Sequence, residues 1–178
     1  VTLPFTRLLA GPMDFTPGSM FSAQPEDNRS TGANPMGTGT RAYQMALYVV
    51  FESPLQMLAD NPVLYRREHP CTEFLAAVPT TWDSLRVLRA ACGREVVVAR
   101  RKGDKWYVGG ITNDRPYTTE IALDFLPAGR TFTMTSFEDG VNADLQATDY
   151  RKRVREVDAS TVVKVEMVRN GGWAAVIE

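Results

Sequence analysis

The sequence runs to 178 residues, 44% hydrophobic and 23% charged, with a formal net charge of −1, so it lacks the electrostatic footprint of a nucleic-acid or anionic-membrane binder. A single histidine, His69, and two cysteines without a CxxC, Cys71 and Cys92, come close to excluding a zinc site. No apolar run is long enough to span a bilayer, and the N-terminus lacks the basic region and cleavage site of a signal peptide.

In chain order, residues 1–10 are apolar enough for a buried strand, closed by Gly11-Pro12 and followed by Asp14. Residues 19–39 form a long polar stretch that reads as a functional loop or lid. Its Gly37-Thr38-Gly39 is too short a signal for a nucleotide cradle. Thr40 has the chemistry of an N-cap for a helix running to about Glu52. Apolar side chains surround nearly all of that helix, which predicts deep burial, and Ser53-Pro54 stops it. Residues 55–59 are short, continuous and apolar, and end at Asp60-Asn61-Pro62. They read as a buried parallel strand, with a helical turn as the alternative. A second helix is predicted over 72–78.

The character changes near Thr80 and Trp82. From Arg94 onward apolar residues recur with period two, through 96–99, 106–108, 120–125, 130–134, 162–167 and 173–177, separated by turns such as Asp139-Gly140 and Asn170-Gly171-Gly172. That pattern predicts an antiparallel sandwich. The basic runs Arg100-Arg101-Lys102 and Arg151-Lys152-Arg153 have acids nearby and read as solvated strand ends or turns. Two short strands and two helices cannot cover both faces of a parallel sheet, so residues 1–80 read as the tail of something larger.

The stretches LPFTRLLAGPMDFTPG, GTRAYQMALYVVFESPLQMLADNP, FLAAVPTTWDSLRVL and VVVARRKGDKWYVGGITN resemble the C-terminal third of glycoside hydrolase family 97, which comprises bacterial α-glucosidases and α-galactosidases. The resemblance implies an α+β fragment. Residues 1–80 would be the last two βα units of a (β/α)8 barrel, and residues 81–178 an antiparallel C-terminal β-sandwich. Barrel active sites lie at the carboxyl ends of the strands. Asp14 would then sit just beyond the seventh strand and Asp60 just beyond the eighth, both as candidate substrate-binding residues. By the same resemblance the catalytic carboxylates and the glutamate ligands of a calcium ion lie upstream. This chain would hold no catalytic residue and no metal ligand, and would be inactive alone. Its expected partners are an oligosaccharide substrate and the remainder of the barrel, and its expected location is periplasmic or secreted. The alternative is a carbohydrate-binding or structural β-sandwich module.

Each candidate has a plainer reading. Asp14 could accept backbone N–H bonds in the turn that follows it, and Asp60 could serve as a turn or Asx cap. Arg7 reads as the partner of a buried carboxylate. His69 reads as a surface residue and Glu52 as half of a structural ion pair. Trp82, Trp106 and Trp173, with Tyr107 and Tyr117, could stack on sugar rings or fill the core and its interface. Cys71 and Cys92 fall on either side of the expected boundary, which argues against a bridge.

Overall fold

The computed structural model describes residues 1–32 and 35–178; residues 33 and 34, inside the loop expected over 19–39, lie outside the described residues. Short strands β1 (Ser22–Ala23) and β2 (Gly37–Thr38) pair in parallel. Three helices follow: α1 (Arg41–Val50), α2 (Pro62–Arg67) and α3 (His69–Ala77). Thr40 caps α1 as predicted, its hydroxyl accepting from Tyr43 N at 3.0 Å. The cap of α2 is Asn61, not Asp60: its Oδ1 accepts from Val63 N and Leu64 N, and Pro62 begins the helix.

The rest is antiparallel sheet. Strands β3 (Ser84–Ala91), β4 (Glu95–Lys102), β5 (Lys105–Thr112), β7 (Phe132–Asp139), β8 (Tyr150–Val157) and β10 (Gly172–Ile177) form a six-stranded sheet in the order β3-β4-β5-β10-β7-β8, while β6 (Tyr117–Ala122) pairs with β9 (Val162–Met167). The period-two reading holds, but both phases are buried. Val97, Ala99, Trp173 and Ala175 face one core, shared with Ile121 and Val163 of the β6–β9 pair. Val96, Val98 and Ala174 face a second core, shared with α1 and α3. A sheet covered on both sides alternates between two interiors rather than between core and solvent.

Glycine lets α1 lie directly on that sheet. A Cβ at Gly109 of β5 would come within 2.8 Å of Val49 Cβ and 2.9 Å of Ala46 O. One at Gly172 of β10 would lie 2.5 Å from Tyr43 N and closer still to Tyr43 Cα. Only a residue without a side chain permits that approach.

Three expectations need correction. Residues 1–10 form no strand: they wind into two 3-10 turns, Leu3–Phe5 and Arg7–Ala10, joined by local bonds such as Phe5 N to Thr2 O at 3.0 Å. Pro4 has no N–H to give a ladder, and the strand partner in the fold is a later segment. Arg100 is not solvated. It is buried against the ring of Trp82 (5.7 Å) and donates to Val50 O at 3.3 Å. Third, the opening of the polar loop is interior, since Ser19, Met20, Ser22 and Gln24 are all buried.

Candidate functional site

Two segments run side by side in parallel beneath α1. Met13 N donates to Glu52 O at 3.1 Å, Phe15 bridges Gln56, and Ala59 N donates to Pro17 O at 3.1 Å. The apolar stretch 55–59 pairs in parallel, as expected, but it is not the buried strand predicted: Leu55, Met57 and Leu58 are exposed, because only one side of the segment is covered, and its partner is 13–17 rather than 1–10. A single isolated bridge is all the regular pairing it has.

At the carboxyl end of this pair the chain turns through Gly18, at φ +83°, and nearly every backbone group of the turn is held by a side chain from another element. Gly18 N donates to Gln44 Oε1 (3.2 Å) and Gly18 O accepts from the Tyr65 hydroxyl (3.0 Å). The Tyr48 hydroxyl lies 3.2 Å from Pro17 O and 3.1 Å from Met57 O, spanning both segments. Arg41 Nε donates to Met20 O (3.0 Å), while its guanidinium pairs with Glu68 at 2.9 Å. Asp60 Oδ2 accepts from the Ser19 hydroxyl (3.2 Å), from Phe21 N (3.1 Å) and from Met20 N. Burial pushes the Tyr48 and Tyr65 hydroxyls above the ordinary tyrosine range, so both remain neutral donors.

The two candidate carboxylates are not brought together. Asp14 precedes the Phe15–Gln56 bridge and Asp60 follows it by four residues. At a strand rise of roughly 3.3 Å per residue, they stand about 16 Å apart along the pair. Asp14 is exposed, and no side-chain hydrogen bond holds it among the described residues. The carboxylate of Asp60 instead faces inward: Oδ2 carries three donors, and Oδ1 is buried without a partner. Glycosidic bond cleavage uses two carboxyl groups roughly 5–9.5 Å apart. Asp14 and Asp60 cannot supply that pair.

Against known proteins, the family model described as "Glycosyl-hydrolase 97 C-terminal, oligomerisation" matches residues 81–178. The chain belongs to glycoside hydrolase family 97. All 178 residues align at 43% identity with 27% of the retaining alpha-galactosidase of Bacteroides thetaiotaomicron. Among solved structures, a family 97 enzyme from Pseudoalteromonas sp. strain K8, seen in complexes with panose and with acarbose, superposes on 99% of this chain and 28% of its own, with a TM-score of 0.86 and 37% identity. A beta-arabinopyranosidase superposes on 96% of this chain and 26% of its own, with a TM-score of 0.75 and 26% identity. The chain thus spans about a quarter of the length of the curated relatives and solved structures it matches, and it corresponds to the C-terminal part of family 97 enzymes.

The remaining candidates take structural places within this family 97 framework. Among the described residues Arg7 meets no carboxylate; it donates to Gly11 O (3.1 Å) and Pro12 O (3.4 Å) and ties off the second 3-10 turn. Glu52 lies 3.8 Å from Arg100, and exposed His69 lies 3.5 Å from Glu73 on α3. Trp106 and Trp173 belong to the core under β6 and β9, with Tyr117 packed against it. Trp82 meets Tyr107 edge-on at 5.5 Å at the interface. Trp106 and Trp173 are buried, which removes them as sugar platforms, and Trp82 is half-buried. Cys71 is buried, its thiol pushed up to about 11 by burial, and Cys92 is exposed; both are free. Among the described residues no three His, Cys, Asp or Glu side chains converge as metal ligands. The residues present do not fit the calcium ion that the resemblance implies. The tyrosine and glutamine clamps were missed from sequence because Gln44 and Tyr48 lie within the helix expected over 40–52 and Tyr65 lies in α2, a helix the sequence reading did not place.

Proposed function

We propose that this chain is the C-terminal portion of an exo-acting α-glycosidase that hydrolyses α-galactosides or α-glucosides. The observation that carries the reading is the alignment of the whole chain, at 43% identity, with a retaining alpha-galactosidase. The panose and acarbose complexes of a structural relative support an α-linked oligosaccharide as the substrate class. On this reading residues 1–80 close a (β/α)8 barrel, with 13–17 and 55–59 as its last two strands, and 81–178 form a C-terminal β-sandwich. The catalytic carboxyl pair, and the ligands of any calcium, come from the preceding barrel. Exposed Asp14 is free to meet sugar or an upstream group, whereas Asp60 acts through the turn it holds. The enzyme would work in the periplasm or outside the cell.

The test is hydrolysis of p-nitrophenyl α-galactoside and α-glucoside, with calcium present, by the 178-residue chain and by a protein extended upstream through the barrel. Activity is expected in the extended protein and absent from the chain alone. Turnover by the chain alone would overturn the reading and make Asp14 a suspect for catalysis. Inactivity of the extended protein on both substrates would remove α-glycosidase activity from the proposal.

A further inference from the structure

Both ends of the loop that follows the 13–17 segment are fastened to the sheet half of the chain. At its start, Gln24 Nε2 donates to Arg169 O (3.0 Å) and Ala143 O (3.3 Å), and Gln24 Oε1 accepts from Asn170 Nδ2 at 3.0 Å. At its end, Thr40 N donates to Asn170 O (2.9 Å) and Arg41 N to Ala147 O (2.7 Å). Between these ties β1 and β2 close a stem, with Gly39 N donating to Ala23 O at 3.0 Å. The loop therefore leans on two turns of the sheet half, one between β7 and β8 and one between β9 and β10.

Two residues make this a latch. Gln24 is 1% exposed, and all its bonds run to residues more than a hundred positions away, so the contact is closed by this chain's own groups. Asn170 is the one residue other than glycine with a positive φ, +50°, among the described residues. Asparagine is one of the few side chains that tolerate that backbone, which persists where the surroundings over-determine it. Held so, Asn170 serves both ends of the loop, its amide at Gln24 and its carbonyl at Thr40. Loops at the carboxyl ends of barrel strands build the substrate site, and this loop leaves that end of 13–17. We infer that Gln24 and Asn170 are positioning residues through which the sheet half sets the place of this loop, and with it the affinity for substrate. The inference rests on the α-glycosidase reading and gives the C-terminal sheets a part in it.

The experiment uses the barrel-extended enzyme with p-nitrophenyl α-galactoside and α-glucoside and with a matching oligosaccharide. It records kcat, KM, the thermal midpoint and hydrogen exchange of the amides of residues 22–28. Wild-type turnover tests the α-glycosidase reading by itself; if the wild type is inactive, that reading falls and takes the affinity claim with it. Gln24→Ala is expected to raise KM for the oligosaccharide roughly tenfold, the scale of a broken buried hydrogen-bond pair, and to speed exchange in the loop, while kcat falls much less. Gln24→Glu keeps the size but turns a carboxylate towards two carbonyl oxygens, and should bind as poorly as Gln24→Ala. Asn170→Gly removes the same side-chain bond while easing the positive φ, so KM rises in the same direction with the thermal midpoint little changed. Faster exchange with an unchanged KM overturns the inference, because the loop then serves the preceding chain and not the substrate. So does unchanged exchange in Gln24→Ala, or a KM rise that only accompanies a fall in thermal midpoint.

Discussion

The two halves of the molecule solve the same problem with unequal means. In residues 84–177 every strand pairs antiparallel, β3-β4-β5 and β7-β8 with chain neighbours and β10 and the β6–β9 pair across longer separations, and the β6–β9 pair covers one face of the large sheet around Trp173, Met134 and Leu123. In residues 13–59 the parallel pair has a single bridge, and its flank leaves Leu55 56%, Met57 44% and Leu58 50% exposed. Antiparallel strands need only short turns to find each other, whereas parallel strands need crossovers and cover on both faces. The first region covers one face of its sheet itself and leaves the other to α1 and α3. The second is held in place by α1, which rests on the other half's sheet, and by side chains that clamp the ends of its strands.

If α1 on the sheet is the joint between the halves, wedging it apart should have the largest effect. Gly172→Ala puts a methyl group into the backbone of α1 and is expected to cost more than about 4 kcal/mol, beyond ordinary overpacking because backbone cannot repack. Urea unfolding of the chain measures it. A loss below about 1 kcal/mol would show that the helix does not depend on that close approach.

The second test is one of pH. Asp139 ends β7 at the same joint and accepts from the Thr40 hydroxyl at 2.6 Å, Val168 N at 3.0 Å and Gly172 N at 3.1 Å. Burial outweighs those donors and pushes its carboxyl up to about 7. Its folded-state affinity for a proton therefore exceeds that of the unfolded chain, whose aspartates titrate near 3.9. The contribution to stability is complete below about pH 4 and is lost as pH rises through 7. The expected fall is on the order of 2–4 kcal/mol, read from unfolding midpoints between pH 4 and 8. Asp139→Asn should flatten that slope, and an equal slope in the variant would assign it to other groups.

The smallest effect sharpens the contrast most. Leu55→Ser should change the stability of the isolated chain by less than about 0.5 kcal/mol, since its side chain is already half in water. In the barrel-extended protein the same change is expected to cost about 2 kcal/mol, as a buried leucine would. Equal costs in both proteins would mean that nothing upstream covers this flank.

Much of the architecture could be read from local pattern. Thr40 and the run after it marked α1, and the period-two runs located β4, β5, β7, β9 and β10. The two edge strands escaped. β8 reads YRKRVREV and β3 carries Arg86 and Arg89 among exposed residues, which is how sheet edges are protected from further pairing and why they lack alternation against a core. The strand expected over 1–10 failed for the opposite reason: its apolar content was right, but Pro4 and the absence of a ladder partner left it in 3-10 turns.

What the sequence determined by itself was local chemistry and kinship: where helices are capped, which strands alternate, and the long motifs that mark family 97. What only the tertiary structure decided was which distant groups meet. Asp14 and Asp60 looked equivalent, each a carboxylate after an apolar run, yet one is exposed and the other holds a turn about 16 Å further along the pair. The function of Asp60 depends on the amides of Met20 and Phe21, some forty residues away. Periodicity and capping are set by a residue's nearest neighbours, whereas the register of parallel strands is set by packing across a crossover helix.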